Sequence, residues 1–113
     1  MRLTDFKVLT FDCYGTLIDW ETGMLAALQP LAARAAHAPN KDQILAAHAR
    51  HESTQQLTSP TKRYSELLAV VHKRLAEEWA IPASWADAQA YGASIRDWPA
   101  FPDTAAALAY LKR

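Results

Sequence analysis

Asp12, Tyr14 and Thr16 alternate along the stretch Phe11-Asp12-Cys13-Tyr14-Gly15-Thr16-Leu17. A carboxylate, a phenol and a hydroxyl thus share one short segment. An acid in such a place is a covalent nucleophile, a metal ligand or a cap for the turn. Thr16 stands one turn beyond Asp12. Its hydroxyl can hold one carboxylate oxygen and leave the other to attack, and it can equally cap whatever follows. The backbone N–H groups of Cys13, Tyr14 and Gly15 point into the same loop mouth, and clustered donors of this kind suit a substrate carboxylate. Tyr14 bears on the reaction type. A phenol with a pKa near ~10 is a poor acid for an alkoxide leaving group. It suits a leaving group that needs no proton, or else it only packs. Cys13 reads as a small buried side chain rather than a redox centre.

The elements around this stretch must hold it. Val8-Leu9-Thr10-Phe11 is an apolar run of strand length bounded by a turn, and such runs read as buried strands. Gly15 permits the turn that follows. Asp12 is then expected at the carboxyl end of a strand, where open α/β sheets bind ligands. From Asp19 to Pro99 the pattern is helical. A first helix opens near Asp19 to Thr22 and carries Met24, Leu25, Leu28 and Leu31 on one face. Pro30 is expected to kink it or start a new helix, and the alanines up to Ala38 favour helix.

Asn40 with Gln43 forms a capping pair for a second helix, which turns polar through His48, Arg50, His51 and Glu52. Ser59-Pro60 suits the start of a third helix, with an apolar stripe of Tyr64, Leu67, Leu68, Val71, Leu75 and Trp79. Ser84 and Asp87 form another capping box, and the fourth helix buries Trp85, Ala88 and Ile95. Four amphipathic helices with short connections read as a small bundle. His48 and His51 show no acidic partner at ligand spacing, so no metal is assigned to them. Trp79, Trp85 and Trp98 read as packing residues, and Trp20, just past the loop, as a possible pocket wall.

Composition excludes several classes. Lys+Arg and Asp+Glu balance at 12 each among 113 residues, half of them apolar. That suits a globular domain and not a nucleic-acid binder. No apolar run approaches the ~20 residues needed to cross a bilayer, and Met1 to Asp5 lacks a signal-peptide core. One cysteine cannot make an internal disulfide. The cytoplasm is the expected compartment.

The segment Phe11 to Asp19, FDCYGTLID, resembles the first motif of the haloacid dehalogenase superfamily, Asp-x-Asp/Tyr-Gly-Thr-Leu after an apolar strand. Asp12, Gly15, Thr16 and Leu17 fall in register. Phosphatases of that superfamily carry a second Asp where this chain has Tyr14; type II L-2-haloacid dehalogenases carry Tyr. The resemblance implies an α/β fold, with a Rossmann-like parallel sheet core and an inserted, mostly helical cap. Residues 1–18 would be the first core strand and nucleophile loop, 19–99 the cap, and 100–113 the return to the core. Phe101-Pro102-Asp103-Thr104 matches the return segment, with Ala107, Leu108 and Leu111 then packing on the sheet.

The resemblance further implies a hydrolase. Asp12 attacks a carbon of a short L-2-haloacid, water cleaves the resulting aspartyl ester, and a cap Arg cradles the halide. Arg50 is the candidate for that cation, then Arg63, with His48 at the same place in a rough alignment. No cofactor is required for this chemistry. The alternative is a phosphatase that binds Mg through Asp12 and the Tyr14 carbonyl. A third possibility is an inactive fragment, because the Ser/Thr, Lys and final polar loop of the superfamily cannot be placed before Arg113. The expected partner is a small-molecule substrate, with a homodimer possible.

Overall fold

The computed structural model describes residues 1–112; Arg113, the last residue of the expected return segment, lies outside them. Five α-helices follow one another: α1 Trp20–Ala32, α2 Lys41–Thr58, α3 Tyr64–Glu78, α4 Trp85–Ala93 and α5 Thr104–Leu111. Short 3-10 turns cover Leu3–Asp5 and Ser94–Asp97. The expected α/β architecture is not found, because no strand or sheet occurs among the described residues. Lys7 to Asp12 is irregular and exposed, with Val8 at 76% and Phe11 at 45% of full exposure. An apolar run becomes a strand only when a neighbour pairs with its N–H and C=O groups, and nothing here does so. Among the described residues only two isolated bridges form, Tyr14 with Ile18 and Ile18 with Ala100.

The helices start where their capping chemistry starts. Asn40 accepts from the Gln43 amide at 2.9 Å, and Gln43 returns the bond to the Asn40 amide at 2.9 Å. Ser84 and Asp87 do the same for α4. Each box satisfies two donors that a bare helix end leaves open. Asp19 accepts from the Thr22 amide and hydroxyl and so caps α1. Pro30 lies inside α1, which ends two residues later; the alanine-rich stretch beyond it forms turns rather than helix. Ser59 caps the C-terminus of α2 instead of opening α3, whose N-cap position is Arg63. α3 closes in a Schellman arrangement, with the Ile81 amide on the Ala76 carbonyl at 2.8 Å and the Ala80 amide on Glu77 at 3.2 Å. Ala80 takes the left-handed conformation this requires, φ 55°.

α3 is the central helix. It packs most extensively on α4 and next on α2, while α1 touches α2 and the Ser94–Asp97 turn. Met24, Leu28, Leu68, Val71 and Leu75 are fully buried between them. Gly92 lets α4 approach α3: a Cβ there would lie 2.1 Å from the Ser65 carbonyl oxygen. Trp85 does not join this core; it is half exposed. The segment from Pro99 to Thr104 is bonded to the start of the bundle. Asp19 donates to the Pro99 carbonyl at 2.8 Å, and Phe101 and the Thr104 hydroxyl donate to the Leu17 carbonyl at 3.1 and 2.8 Å. In α5, Ala107 and Leu108 are exposed rather than packed on a sheet. No described helix is long and apolar enough to cross a membrane.

Candidate functional site: the Asp12 loop

The loop owes its shape to one carbonyl. The amides of Thr16, Leu17 and Ile18 all converge on the Cys13 oxygen, at 3.1, 2.7 and 3.0 Å. Gly15 sits at φ +88°, a conformation side-chain-bearing residues resist. Its amide donates to the Ile18 carbonyl at 2.9 Å and so belongs to the turn. The expected three-amide anion cradle therefore loses Gly15 as a donor. The Trp20 indole lies over the same turn, its Nε1 3.3 Å from where a Cβ of residue 15 would stand. Trp20 thus walls the loop.

Within this turn the Thr16 hydroxyl donates to Asp12 Oδ2 at 2.8 Å. One carboxylate oxygen is held, on a residue that is exposed. Cys13 is exposed too, not buried as its small apolar character suggests. Tyr14 leans back on the bundle. Its ring is 5.5 Å from that of Tyr64 and 6.0 Å, edge-on, from that of Trp98. Partial burial, and then the neighbouring Cys13, push the Tyr14 phenol above its ordinary pKa. It remains a neutral hydroxyl over the loop.

The cap cation is placed differently from the sequence expectation. Arg50 is bound by Glu78, at 2.6 and 3.4 Å, and His51 shares that carboxylate at 3.2 Å. The Arg50 hydrogen bonds, then its charge, hold Glu78 below the usual carboxylate range despite some desolvation. Glu78 ends α3, whereas Tyr64, which touches the loop through Tyr14, begins it. At 1.5 Å per residue the two lie about 21 Å apart along the axis. Arg50 is engaged by Glu78, and no bond from it to the Asp12 loop occurs among the described residues. His48 is buried, its Nε2 2.7 Å from the Tyr91 hydroxyl and its Nδ1 3.5 Å from Glu52. Arg63, exposed, immediately precedes Tyr64 and is the one of the three next in the chain to a residue at the loop.

Both histidines of α2 have acidic partners, contrary to the spacing argument. Glu52 was legible as the i+4 neighbour of His48, on the same helical face; Glu78, 27 residues from His51, was not. No group of three or more His, Cys, Asp or Glu side chains able to hold a metal occurs among the described residues. For Mg, the loop provides one carboxylate, already sharing an oxygen with Thr16, and the Tyr14 carbonyl. That is a sparse set for an ion that prefers six oxygens. No protein-family model matches the chain, and no curated protein matches it.

Proposed function

We propose that the protein is a hydrolase in which Asp12 is the nucleophile and a covalent aspartyl ester the intermediate, acting as a dehalogenase on short L-2-haloacids. The observation that carries the reading is the 2.8 Å bond from the Thr16 hydroxyl to Asp12 Oδ2. It engages Oδ2, and in this reading Oδ1 is the attacking oxygen. Oδ1 displaces halide from the α-carbon, forming a C–O bond as the C–halogen bond breaks. Water then adds to the ester carbonyl, and the 2-hydroxy acid departs as the carboxylate is restored. Splitting one displacement into two steps in this way is ordinary covalent catalysis.

Tyr14 supports halide as the leaving group. By the resemblance it takes the sequence position of the acid that an alkoxide would need, and its phenol holds its proton more tightly than a free one. Arg63 is the cation best situated by chain position to receive the halide. A cytoplasmic setting accompanies this reading, in keeping with a lone exposed thiol. The test is halide release from L-2-chloropropionate by the full chain. Release that disappears in Asp12→Asn supports the reading, and no release from the wild-type protein overturns it.

A further inference from the structure

One buried side chain joins α1, the Ser94–Asp97 turn and the loop. Trp98 follows that turn and is buried. Its indole Nε1 donates to Ser94 Oγ at 3.2 Å. Its ring lies against Gly23 on α1, where an added Cβ would stand 2.4 Å from Trp98 Cγ. The Tyr14 ring meets the indole at 6.0 Å, with the two planes 73° apart. The backbone beside Trp98 is tied as well. The Trp98 amide donates to the Ile95 carbonyl at 3.1 Å, and the Pro99 carbonyl accepts from the Asp19 amide at 2.8 Å. Resting on the reading of Asp12 as nucleophile, we propose that Trp98 is a positioning residue for the Asp12 loop: its indole, fixed by Ser94 and Gly23, supports Tyr14 and through it the turn that carries Asp12.

The indole has one seat. An indole N–H only donates, and Ser94 can receive it because its own proton goes to the Tyr91 carbonyl at 2.5 Å. Gly23 is buried in α1 and presents bare backbone to the ring. Glycine is what admits so close an approach. Tyr14 then meets the indole in the crossed arrangement that aromatic pairs prefer, and the Tyr64 ring flanks Tyr14 at 5.5 Å. The chain before the turn has no comparable support. Among the described residues no backbone hydrogen bond reaches Lys7 to Asp12. The loop is therefore held from its C-terminal side, by Tyr14 on these rings and by Asp19 on Pro99. Tyr14 lies inside the turn that the Cys13 carbonyl closes, between Asp12 and the Thr16 hydroxyl that donates to it. A displaced Tyr14 carries that turn with it, and small misplacements of a reacting group cost rate.

The experiment uses the full chain with ring-labelled tyrosine, and the Tyr14 resonance assigned through Tyr14→Phe. Gly23→Ala pushes the indole off α1, Ser94→Ala removes its acceptor, and Ser94→Thr keeps a hydroxyl there. None of the three alters an aromatic ring, so a change in the Tyr14 shift reports movement. The second readout is kcat and KM for halide release from L-2-chloropropionate. In Gly23→Ala and Ser94→Ala the Tyr14 resonance is expected to move toward that of free tyrosine. kcat falls about tenfold with KM changed less than about twofold. Ser94→Thr keeps the wild-type shift and kcat. Where Gly23→Ala does not fold, the two Ser94 variants decide. An unmoved Tyr14 resonance in every folded variant overturns the proposal, and so does a moved one with kcat at the wild-type level. A moved resonance in a protein whose wild type releases no halide supports the indole–loop contact and overturns the nucleophile reading instead.

Discussion

The Thr16 hydroxyl donates to Asp12 Oδ2 at 2.8 Å across a turn that the Cys13 carbonyl closes. The bond determines which oxygen of Asp12 is free. Thr16→Val keeps the shape and removes the donor, so the carboxylate rotates. A fall in kcat for halide release of about tenfold to a hundredfold is expected, with little change in melting temperature because the residue is exposed. Steady-state kinetics beside a thermal melt check this.

Arg63 and Arg50 separate cleanly. Arg63→Ala should raise KM for L-2-chloropropionate severalfold, by about 1 kcal/mol of lost attraction for the anionic substrate or departing halide. Arg50→Ala should leave both kinetic constants near wild type, since Arg50 is paired with Glu78. Equal effects from the two would contradict the placement.

His72 makes the bundle sensitive to acid. Burial lowers its pKa; Asp87 opposes this and Arg34 adds to it. A histidine whose folded pKa is depressed contributes stability that is complete above the unfolded value of ~6.5 and is lost as pH falls toward the folded value. Melting temperature should therefore drop as pH is lowered from about 6.5. His72→Leu should flatten that part of the profile. It also removes Nδ1, a buried nitrogen without a hydrogen-bond partner among the described residues, which costs about 1–3 kcal/mol to keep. A variant as acid-sensitive as wild type there would assign the dependence to another group.

Ala80 takes φ 55° to close α3. A left-handed residue with a Cβ costs about 1–2 kcal/mol, so Ala80→Gly should stabilise the fold by about 1 kcal/mol net of the extra chain entropy that glycine brings. Urea unfolding measures it. A loss of stability would show that the Schellman closure is held by the Ile81 packing alone.

These features differ in how far a one-dimensional reading reaches. The boxes Asn40/Gln43 and Ser84/Asp87 were legible because a capping box is local, three residues wide. The α3 stripe of Leu67, Leu68, Val71 and Leu75 was legible because its period repeats. The run Val8 to Phe11 misled because an apolar segment looks the same with or without a pairing neighbour, and only pairing makes a strand. Ser59-Pro60 misled because a capping residue and a proline also suit a loop between helices. His48 with Tyr91, 43 residues apart, carried no periodic signal. In the loop, the Thr16 bond to Asp12 was legible from their spacing, whereas the use of the Gly15 amide within the turn and the pairing of Arg50 with Glu78 needed coordinates.

In the proposed mechanism Asp12 itself forms the bond to substrate. The direct test is a single turnover of L-2-chloropropionate with excess protein in heavy-oxygen water, followed by mass analysis of the peptide holding Asp12 and of the product. An ester intermediate sends the water oxygen into the Asp12 carboxylate, while the product hydroxyl takes its oxygen from Asp12 and stays light. Label found in the product hydroxyl after the first turnover, with an unlabelled Asp12, would mean that water attacks the substrate directly and that Asp12 is not the nucleophile.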